Sequence, residues 1–81
     1  MKARVTVRLK AGVLDPQGMT IQKALVSLGY DEVQGVRQGK VFELEIQAPG
    51  AGEARERLEE MSRRLLSNPV VEDFSIEVPV E

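Results

Sequence analysis

Cysteine, histidine and tryptophan are all absent from the 81 residues of the chain. Without cysteine the chain can form no disulfide, no thiolate metal site and no thiol nucleophile. Without histidine it lacks the most frequent general base and the most frequent metal ligand. These absences count against a self-sufficient enzyme and favour a small binding or assembly module.

An excess of positive charge is missing as well. The chain has 11 Lys and Arg residues against 13 Asp and Glu residues, so its formal net charge is -2. Nucleic-acid binding that is driven by electrostatics normally needs a basic excess. RNA-binding sheets also stack bases on exposed aromatic side chains, but strand alternation points Phe42 and Phe74 inward and leaves only Tyr30. An RNA-binding module is therefore disfavoured.

Long apolar runs are also missing from the chain. No segment approaches the roughly 20 apolar residues of a membrane span, and the first residues lack the apolar core of a signal peptide. We therefore expect a cytoplasmic protein. The composition, with 42% hydrophobic and 30% charged residues, is that of an ordinary globular protein, and the length fits one domain over residues 1–81.

The first half of the chain predicts a strand followed by a helix. Residues 3–9 alternate apolar and polar side chains, which is typical of a half-buried strand. Asp15 and Pro16 suit the N-cap and the first position of a helix, and Gly29 suits its C-terminal cap. The apolar stripe of this helix has the spacing i, i+3, i+4, i+7 and consists of Ile21, Ala24, Leu25 and Leu28.

The second half predicts three further strands and one helix. Residues 33–37 and 41–46 read as two strands that a tight hairpin turn joins at Gln38-Gly39. A second helix begins near Glu53 and ends at Asn68-Pro69, and residues 70–78 form the last strand. The predicted apolar stripe of this second helix consists of Ala54, Leu58, Met61 and Leu65.

The resulting order, β-α-β-β-α-β, predicts an α+β fold of the ferredoxin-like type. In this fold two helices cover one face of a four-stranded antiparallel sheet with the strand order 4-1-3-2. The first strand then lies between the third and the fourth. Its outward side chains Arg4 and Arg8 are basic, and opposite charges on paired strands stabilise a sheet. The outward side chains of the two presumed neighbours are acidic, namely Glu43, Glu45, Asp73 and Glu77.

No group of residues predicts catalysis or metal binding. The glycine-rich turn 50–52 precedes a helix and could bind a phosphate, but Glu53 occupies the position of the anion and no P-loop sequence is present. The serines lack a histidine partner, so triad chemistry is not supported. The acidic pairs Glu59-Glu60 and Glu72-Asp73 are adjacent in sequence, so their side chains point apart.

Two connecting segments are more apolar than their structural roles require. Val13 and Leu14 lie in a loop between Gly12 and the helix cap, and residues 65–71 form an apolar connection before the last strand. Exposed apolar loop residues often mark contact sites. The alternative is packing at the edge of the core.

An uncovered sheet face predicts self-association. Two helices on one face leave the other face open, and Val36 and Val41 are expected to project there beside charged strands. Exposed sheet faces and edges favour pairing with another chain. We therefore predict a homodimer, or a dimer of dimers, with Val36 and Val41 as candidates for its interface.

Four segments together resemble the PurS family, the small subunits of phosphoribosylformylglycinamidine synthase in bacteria. They are Gly12-Val13-Leu14-Asp15-Pro16-Gln17-Gly18, Leu28-Gly29-Tyr30, Val36-Arg37-Gln38-Gly39-Lys40, and Leu65-Leu66-Ser67-Asn68-Pro69-Val70-Val71-Glu72. The resemblance covers nearly the whole chain. It implies a non-catalytic subunit in purine biosynthesis that dimerises, joins a glutaminase subunit to a large ATP-dependent synthetase subunit, and assists ammonia transfer between them.

The resemblance also implies where the partners bind and which cofactors the complex uses. ATP, Mg²⁺ and glutamine are used by the complex, and none of them is expected to bind this chain alone. The positions that match the family motifs, and are therefore candidates for partner contacts, are Gly12, Val13, Leu14, Asp15, Pro16, Gly18, Arg37, Lys40, Leu66, Asn68 and Pro69. The alternative function is a ligand-sensing regulatory module, because the ferredoxin-like fold also serves small-molecule regulators.

Overall fold

The structure, a computed structural model, describes residues 1–80 and contains one antiparallel sheet and two helices. In this part of the chain the sheet has three strands, and the second helix continues into a π-helical turn. The elements in chain order are β1 (Lys2–Leu9), α1 (Pro16–Ser27), β2 (Gly39–Glu45), α2 (Ala51–Met61), the π-helical turn (Ser62–Leu66) and β3 (Glu72–Glu77). The α+β class predicted from the sequence is confirmed.

The central strand of the sheet is β1, and the strand order is β2-β1-β3. Arg4 lies opposite Glu43 on β2 and opposite Glu77 on β3, and its guanidinium is 3.0 Å from the Glu77 carboxylate. Arg8 lies opposite Asp73. The predicted placement of the first strand between two acidic neighbours is therefore confirmed.

The core lies between α2 and one face of this sheet. Ala3, Val5 and Val7 alternate on the inward face of β1 and are buried, and Leu58 of α2 covers them. Partly buried side chains in or directly after β2, β3 and the second helical segment complete the core; they are Phe42, Leu44, Ile46, Met61, Leu66, Phe74, Ile76 and Val78. The inward alternation of Phe42 and Phe74 is thus confirmed.

The π-helical turn corrects the predicted stripe of the second helix. An α-helical period places Leu65 on the core side, yet Leu65 is 83% exposed and Leu66 packs against the core instead. The Ser67 main-chain N–H donates to the Ser62 carbonyl at 2.9 Å, which is an i→i−5 bond. Such a turn contains an additional residue, so it rotates Leu66 inward and Leu65 outward.

The predicted strand over residues 33–37 and its hairpin turn are not formed. The chain shows no turn between Val33 and Gln38, and β2 begins directly at Gly39. Gly39 has a different role from the one predicted: a Cβ there would lie 2.6 Å from the Val7 carbonyl oxygen of the neighbouring strand. The glycine thus permits close pairing of β2 with β1, and the four-stranded sheet in order 4-1-3-2 is replaced by three strands.

The helix α1 does not pack beside α2 on the sheet, in contrast to the prediction. It extends from the end of the sheet where β1 ends and β2 begins, and residues 30–38 return along it; we call α1 together with this returning segment (residues 16–38) the arm. The radius of gyration is 15.9 Å and the longest dimension 50 Å, whereas a compact chain of this length has a radius of gyration of about 12 Å. The arm accounts for the elongated shape.

Candidate functional site

A short loop, residues 10–15, joins the arm to the sheet, and the carboxylate of Asp15 fixes this loop through two hydrogen bonds. One carboxylate oxygen accepts the main-chain N–H of Gly18, and the other accepts that of Gln38, both at 2.8 Å. These two hydrogen bonds, with the nearby Arg37 guanidinium, hold the pKa of the Asp15 carboxyl below its ordinary value. Asp15 is therefore both the predicted N-cap of α1 and a link to the start of β2.

Arg37 holds the same loop and the end of β1. Its guanidinium donates to the carbonyls of Leu9 and Lys10 at 3.1 Å and to the carbonyl of Val13 at 3.2 Å. A guanidinium has five donors in a rigid planar group, so it can satisfy several loop carbonyls at once. We call residues 10–15 together with Arg37 and Gln38 the junction.

Gly18 explains how closely the returning segment approaches α1. A Cβ at this position would lie 2.3 Å from the main-chain oxygen of Val36 and 2.8 Å from the Asp15 carboxylate. Further along the helix, the Gln22 side-chain amide donates to the Val33 carbonyl at 3.1 Å. The family motif around Gly18 therefore encodes the packing of the arm, and not only the start of a helix.

An open groove of about 430 Å³ lies between the junction loop and the arm. Leu14 lies at its rim and is 69% exposed, so this side chain does not pack at the edge of the core, whereas Val13 beside it is half-buried. The groove is mostly apolar, and its lining comprises Gly12, Val13, Leu14, Asp15, Met19, Gln22, Gln34, Gly35, Val36 and Arg37.

The last family motif lies at the same end of the sheet as the junction. The Asn68 carbonyl accepts the N–H groups of Val71 and Glu72, which forms a turn. The Lys10 N–H donates to the Val71 carbonyl at 2.8 Å, and the Lys40 ammonium lies 4.0 Å from the Glu72 carboxylate. The structure thus brings motifs that are more than half the chain apart to one surface.

Some predicted site residues lie elsewhere. Leu66 lines a second apolar groove of about 370 Å³ between β2 and α2, with Leu44, Met61 and Leu65 on its walls and Arg57, Glu60 and Arg64 at its edge. Val41 is exposed on the open face of the sheet. Val36, which was expected on that same face, is half-buried in the arm.

Sequence reasoning missed Gln22, Gln34, Gly35 and Gln38 as parts of this surface. Gln22 was assigned to a core-packed helix, Gln34 and Gly35 to a paired strand, and Gln38 to the hairpin turn, and polar side chains in such places would only face solvent. No helix in the described part of the chain is long and apolar enough to cross a membrane.

The fold and the junction define a small α+β module with apolar grooves open to solvent, a form suited to assembly with other chains. The family model described as PurS, phosphoribosylformylglycinamidine (FGAM) synthase, matches residues 2–80. The chain belongs to this family, which confirms the resemblance seen in its motifs.

Relatives and solved structures agree with this assignment. The PurS subunit of phosphoribosylformylglycinamidine synthase from Bacillus subtilis is 47% identical over 77 residues, which are 95% of this chain and 90% of the relative. The crystal structure of PurS from Methanocaldococcus jannaschii has a TM-score of 0.85 at 42% identity, covering 94% of this chain and 92% of that one. A chain in the structure of PurLQS from Thermotoga maritima has a TM-score of 0.86 at 33% identity, covering 94% and 93%.

Proposed function

We propose that this chain is a non-catalytic assembly subunit of phosphoribosylformylglycinamidine synthase that acts in the cytoplasm. In this role it joins the glutaminase subunit to the ATP-dependent synthetase subunit. The observation that carries the proposal is the exposed apolar rim of the junction, where Leu14 projects from a loop that Asp15 and Arg37 hold in place. Likeness to a chain of PurLQS supports it.

A fixed loop is well suited to docking, because ordering a flexible segment reduces affinity. The Arg37 hydrogen bonds to Leu9, Lys10 and Val13 order this loop before any partner arrives. Leu14 can then enter a pocket on a partner at little entropic cost. We propose that the junction, together with the Asn68-Pro69 turn beside it, contacts the other subunits, which bind ATP, Mg²⁺ and glutamine.

A ligand-sensing module fits the junction groove less well. Its size lies within the range of small-molecule sites, but such sites need free polar groups to orient a ligand. Asp15 is the buried carboxylate of the lining, and both of its oxygens already accept main-chain N–H groups. The three loop carbonyls that Arg37 contacts are engaged as well.

Reconstitution of the synthase tests the assembly role. Leu14→Asp should leave the melting temperature of this chain nearly unchanged, because the side chain is 69% exposed. It should strongly reduce both co-elution with the catalytic subunits and glutamine-dependent activity, since a charge would be desolvated at the contact. The free subunit and the reconstituted complex are compared by thermal melting, size-exclusion chromatography and product formation.

Two variants serve as controls for this experiment. Leu14→Met keeps an apolar side chain of similar volume and should retain assembly. Gln47→Asp adds the same charge at an exposed position beyond β2 and should also retain it. Full assembly and activity with Leu14→Asp would contradict the role of the junction, and a large loss of melting temperature would show that Leu14 is part of the fold.

We also propose that the chain forms a homodimer. The open sheet face with Val41 and the apolar side chains along α1 are exposed in a single copy. Light scattering at micromolar concentration should give twice the mass of the chain. A monomer at all concentrations would refute the proposed homodimer.

A further inference from the structure

A second cavity beside the junction is smaller and more polar than the junction groove. It has a volume of about 230 Å³, and we call it the end cleft. Its walls come from the end of β1, the starts of α1, β2 and β3, and Asp15, which also lines the junction groove. The end cleft therefore lies where the arm meets all three strands of the sheet.

The strand register defines which side chains flank the end cleft. Lys40 of β2 lies opposite Val7, and Glu72 of β3 lies opposite Leu9, on the two sides of β1. Residues that lie opposite each other in an antiparallel pair point to the same face of the sheet. The end cleft thus has an apolar floor of Val7 and Leu9 on the face that carries the core, with an ammonium on one flank and a carboxylate on the other.

The Lys40 ammonium donates no hydrogen bond within residues 1–80. The Glu72 carboxylate lies 4.0 Å from it, which exceeds the donor–acceptor distance of a hydrogen bond, about 2.7–3.2 Å. The ammonium lies 5.8 Å from the centre of the Phe42 ring, an arrangement that attracts a cation to the ring, and the side chain is 54% exposed. Its three N–H donors are therefore available to a partner.

Glu72 is already engaged by the turn that precedes β3. One of its carboxylate oxygens accepts the main-chain N–H of Asn68 at 2.6 Å, and its side chain is only 17% exposed. Its negative charge favours the position of Lys40 beside the end cleft, but at 4.0 Å it does not satisfy the donors of the ammonium.

Gln17 adds further donors to the end cleft. Its side-chain oxygen accepts the Gln38 amide N–H at 2.7 Å, and its own NH₂ group donates to no residue in the described part of the chain. The two carboxylates of the lining, those of Asp15 and Glu72, already accept main-chain N–H groups. The hydrogen-bonding groups that remain are mainly donors, and Lys40 adds a positive charge, so the end cleft favours an anionic acceptor.

We propose that the end cleft receives an acidic side chain of a catalytic subunit, with Lys40 as its ion-pair partner and Gln17 as a hydrogen-bond donor. The proposal rests on the assembly role of the preceding subsection and specifies the chemistry of the contact. Charge complementarity carries it, because a carboxylate supplies the acceptors that the free donors lack. The apolar floor of Val7 and Leu9 suits the methylene groups of an aspartate or glutamate.

The position of the end cleft favours a protein partner over a small molecule. Asp15 links it to the loop that carries Leu14, and Glu72 links it to the Asn68-Pro69 turn; both segments are proposed partner contacts. Its volume of about 230 Å³ lies below the usual range of small-molecule sites, about 300–1,000 Å³. Lys40 is also too exposed for a site that encloses most of its ligand.

Reconstitution with Lys40→Met tests the ion pair. Methionine keeps an unbranched side chain beside Phe42 and removes the charge. Glutamine-dependent activity is titrated with this chain at fixed concentrations of the catalytic subunits, which gives an apparent Kd for assembly. We expect this Kd to rise about tenfold, as for the loss of one hydrogen bond to a charged group, and its dependence on salt concentration to weaken. Lys40→Arg keeps the charge and should retain most of the affinity.

Gln17→Glu tests the same cleft without removing Lys40. The new carboxylate can still accept the Gln38 amide N–H, and it places a negative charge where the carboxylate of the partner would bind. The apparent Kd should again rise about tenfold. Lys2→Met is the matched control, because it removes the same charge from an exposed position at the other end of β1, and it should leave the Kd unchanged. All three positions are exposed, so the melting temperatures should stay close to that of the native chain.

The results that would overturn the proposal can be told apart. A native Kd with Lys40→Met or Gln17→Glu, while Leu14→Asp still blocks assembly, would remove the end cleft from the interface and leave the assembly role. Equal losses with Lys40→Met and Lys2→Met would mean that overall charge, and not this cleft, favours association. A large fall in melting temperature with Lys40→Met would assign Lys40 to the fold. Failure of the native chain to assemble with the catalytic subunits would remove the assembly role itself.

Discussion

Replacing Gly18 by alanine tests how closely the arm is packed. The new Cβ would lie 2.3 Å from the Val36 carbonyl oxygen, which belongs to the main chain and cannot rotate away. Overpacking of this kind costs about 2–3 kcal/mol. Alanine is a better helix former than glycine by about 1 kcal/mol, which offsets part of the loss. We expect the free energy of unfolding to fall by about 1–2 kcal/mol.

A second glycine in a helix provides the matched control. Gly52 lies in the first turn of α2, and a Cβ there would meet no atom within 4 Å. Gly52→Ala should therefore raise the free energy of unfolding, by about 0.5 kcal/mol, because alanine has less backbone entropy to lose. The two variants carry the same chemical change, so their difference isolates the contacts of position 18 with the Val36 carbonyl and the Asp15 carboxylate.

Urea unfolding followed by circular dichroism measures both variants against the native chain. All samples are compared at one protein concentration, since the proposed dimerisation would make apparent stability depend on concentration. A change of 1 kcal/mol corresponds to about 4–8 °C in melting temperature for a domain of this size, so either assay resolves the effect. If Gly18→Ala stabilised the chain as much as Gly52→Ala, the close approach of the arm segment to α1 would be refuted.

Two further predictions concern the junction and the π-helical turn. The folded-state pKa of Asp15 is lowered from 3.8 by the N–H groups of Gln38 and Gly18, so its contribution to stability is present above about pH 4 and is lost as pH falls through that lowered pKa. Asp15→Asn should thus have a lower free energy of unfolding than the native chain at neutral pH, and this difference should shrink as the pH falls. Urea unfolding at several pH values measures the difference, and a difference that does not change with pH would refute the prediction. Leu66→Ala should lower the free energy of unfolding by about 1–2.5 kcal/mol, and Leu65→Ala by less than about 0.5 kcal/mol; the reverse order would mean that the helix keeps an α-helical period.

Much of the candidate site could be predicted from the sequence because it depends on local chemistry. Asp15 before Pro16 has the pattern of a helix cap, and the structure confirms that the Asp15 carboxylate accepts the Gly18 N–H. The apolar loop with Leu14 was recognised because nothing local explained it. The second hydrogen bond of the Asp15 carboxylate, from the Gln38 N–H, joins residues that are 23 positions apart. No local sequence pattern predicts such a bond.

The π-helical turn shows another limit of periodicity. Helical spacing placed Leu65 in the core and Leu66 outside, and the structure has the opposite arrangement. The cause is one i→i−5 hydrogen bond between Ser67 and Ser62, supported by the Ser67 hydroxyl, which donates to the same carbonyl at 2.8 Å. A single additional residue in one turn changes which side chain faces the core, and residue propensity does not encode it.

The sequence by itself determined the strands and helices that depend on alternation and capping, the central place of β1, and the membership of a family. Each of these follows from the physical preferences of neighbouring residues or from opposite charges on paired strands. Only the tertiary structure decided where the arm lies. Residues 33–37 have the alternation of a strand, yet they lie along α1 instead of pairing with β2, and alternation alone does not report which partner a segment has. The choice is made at the junction, where Arg37 donates to the carbonyls of Leu9, Lys10 and Val13 and Asp15 accepts the N–H of Gln38.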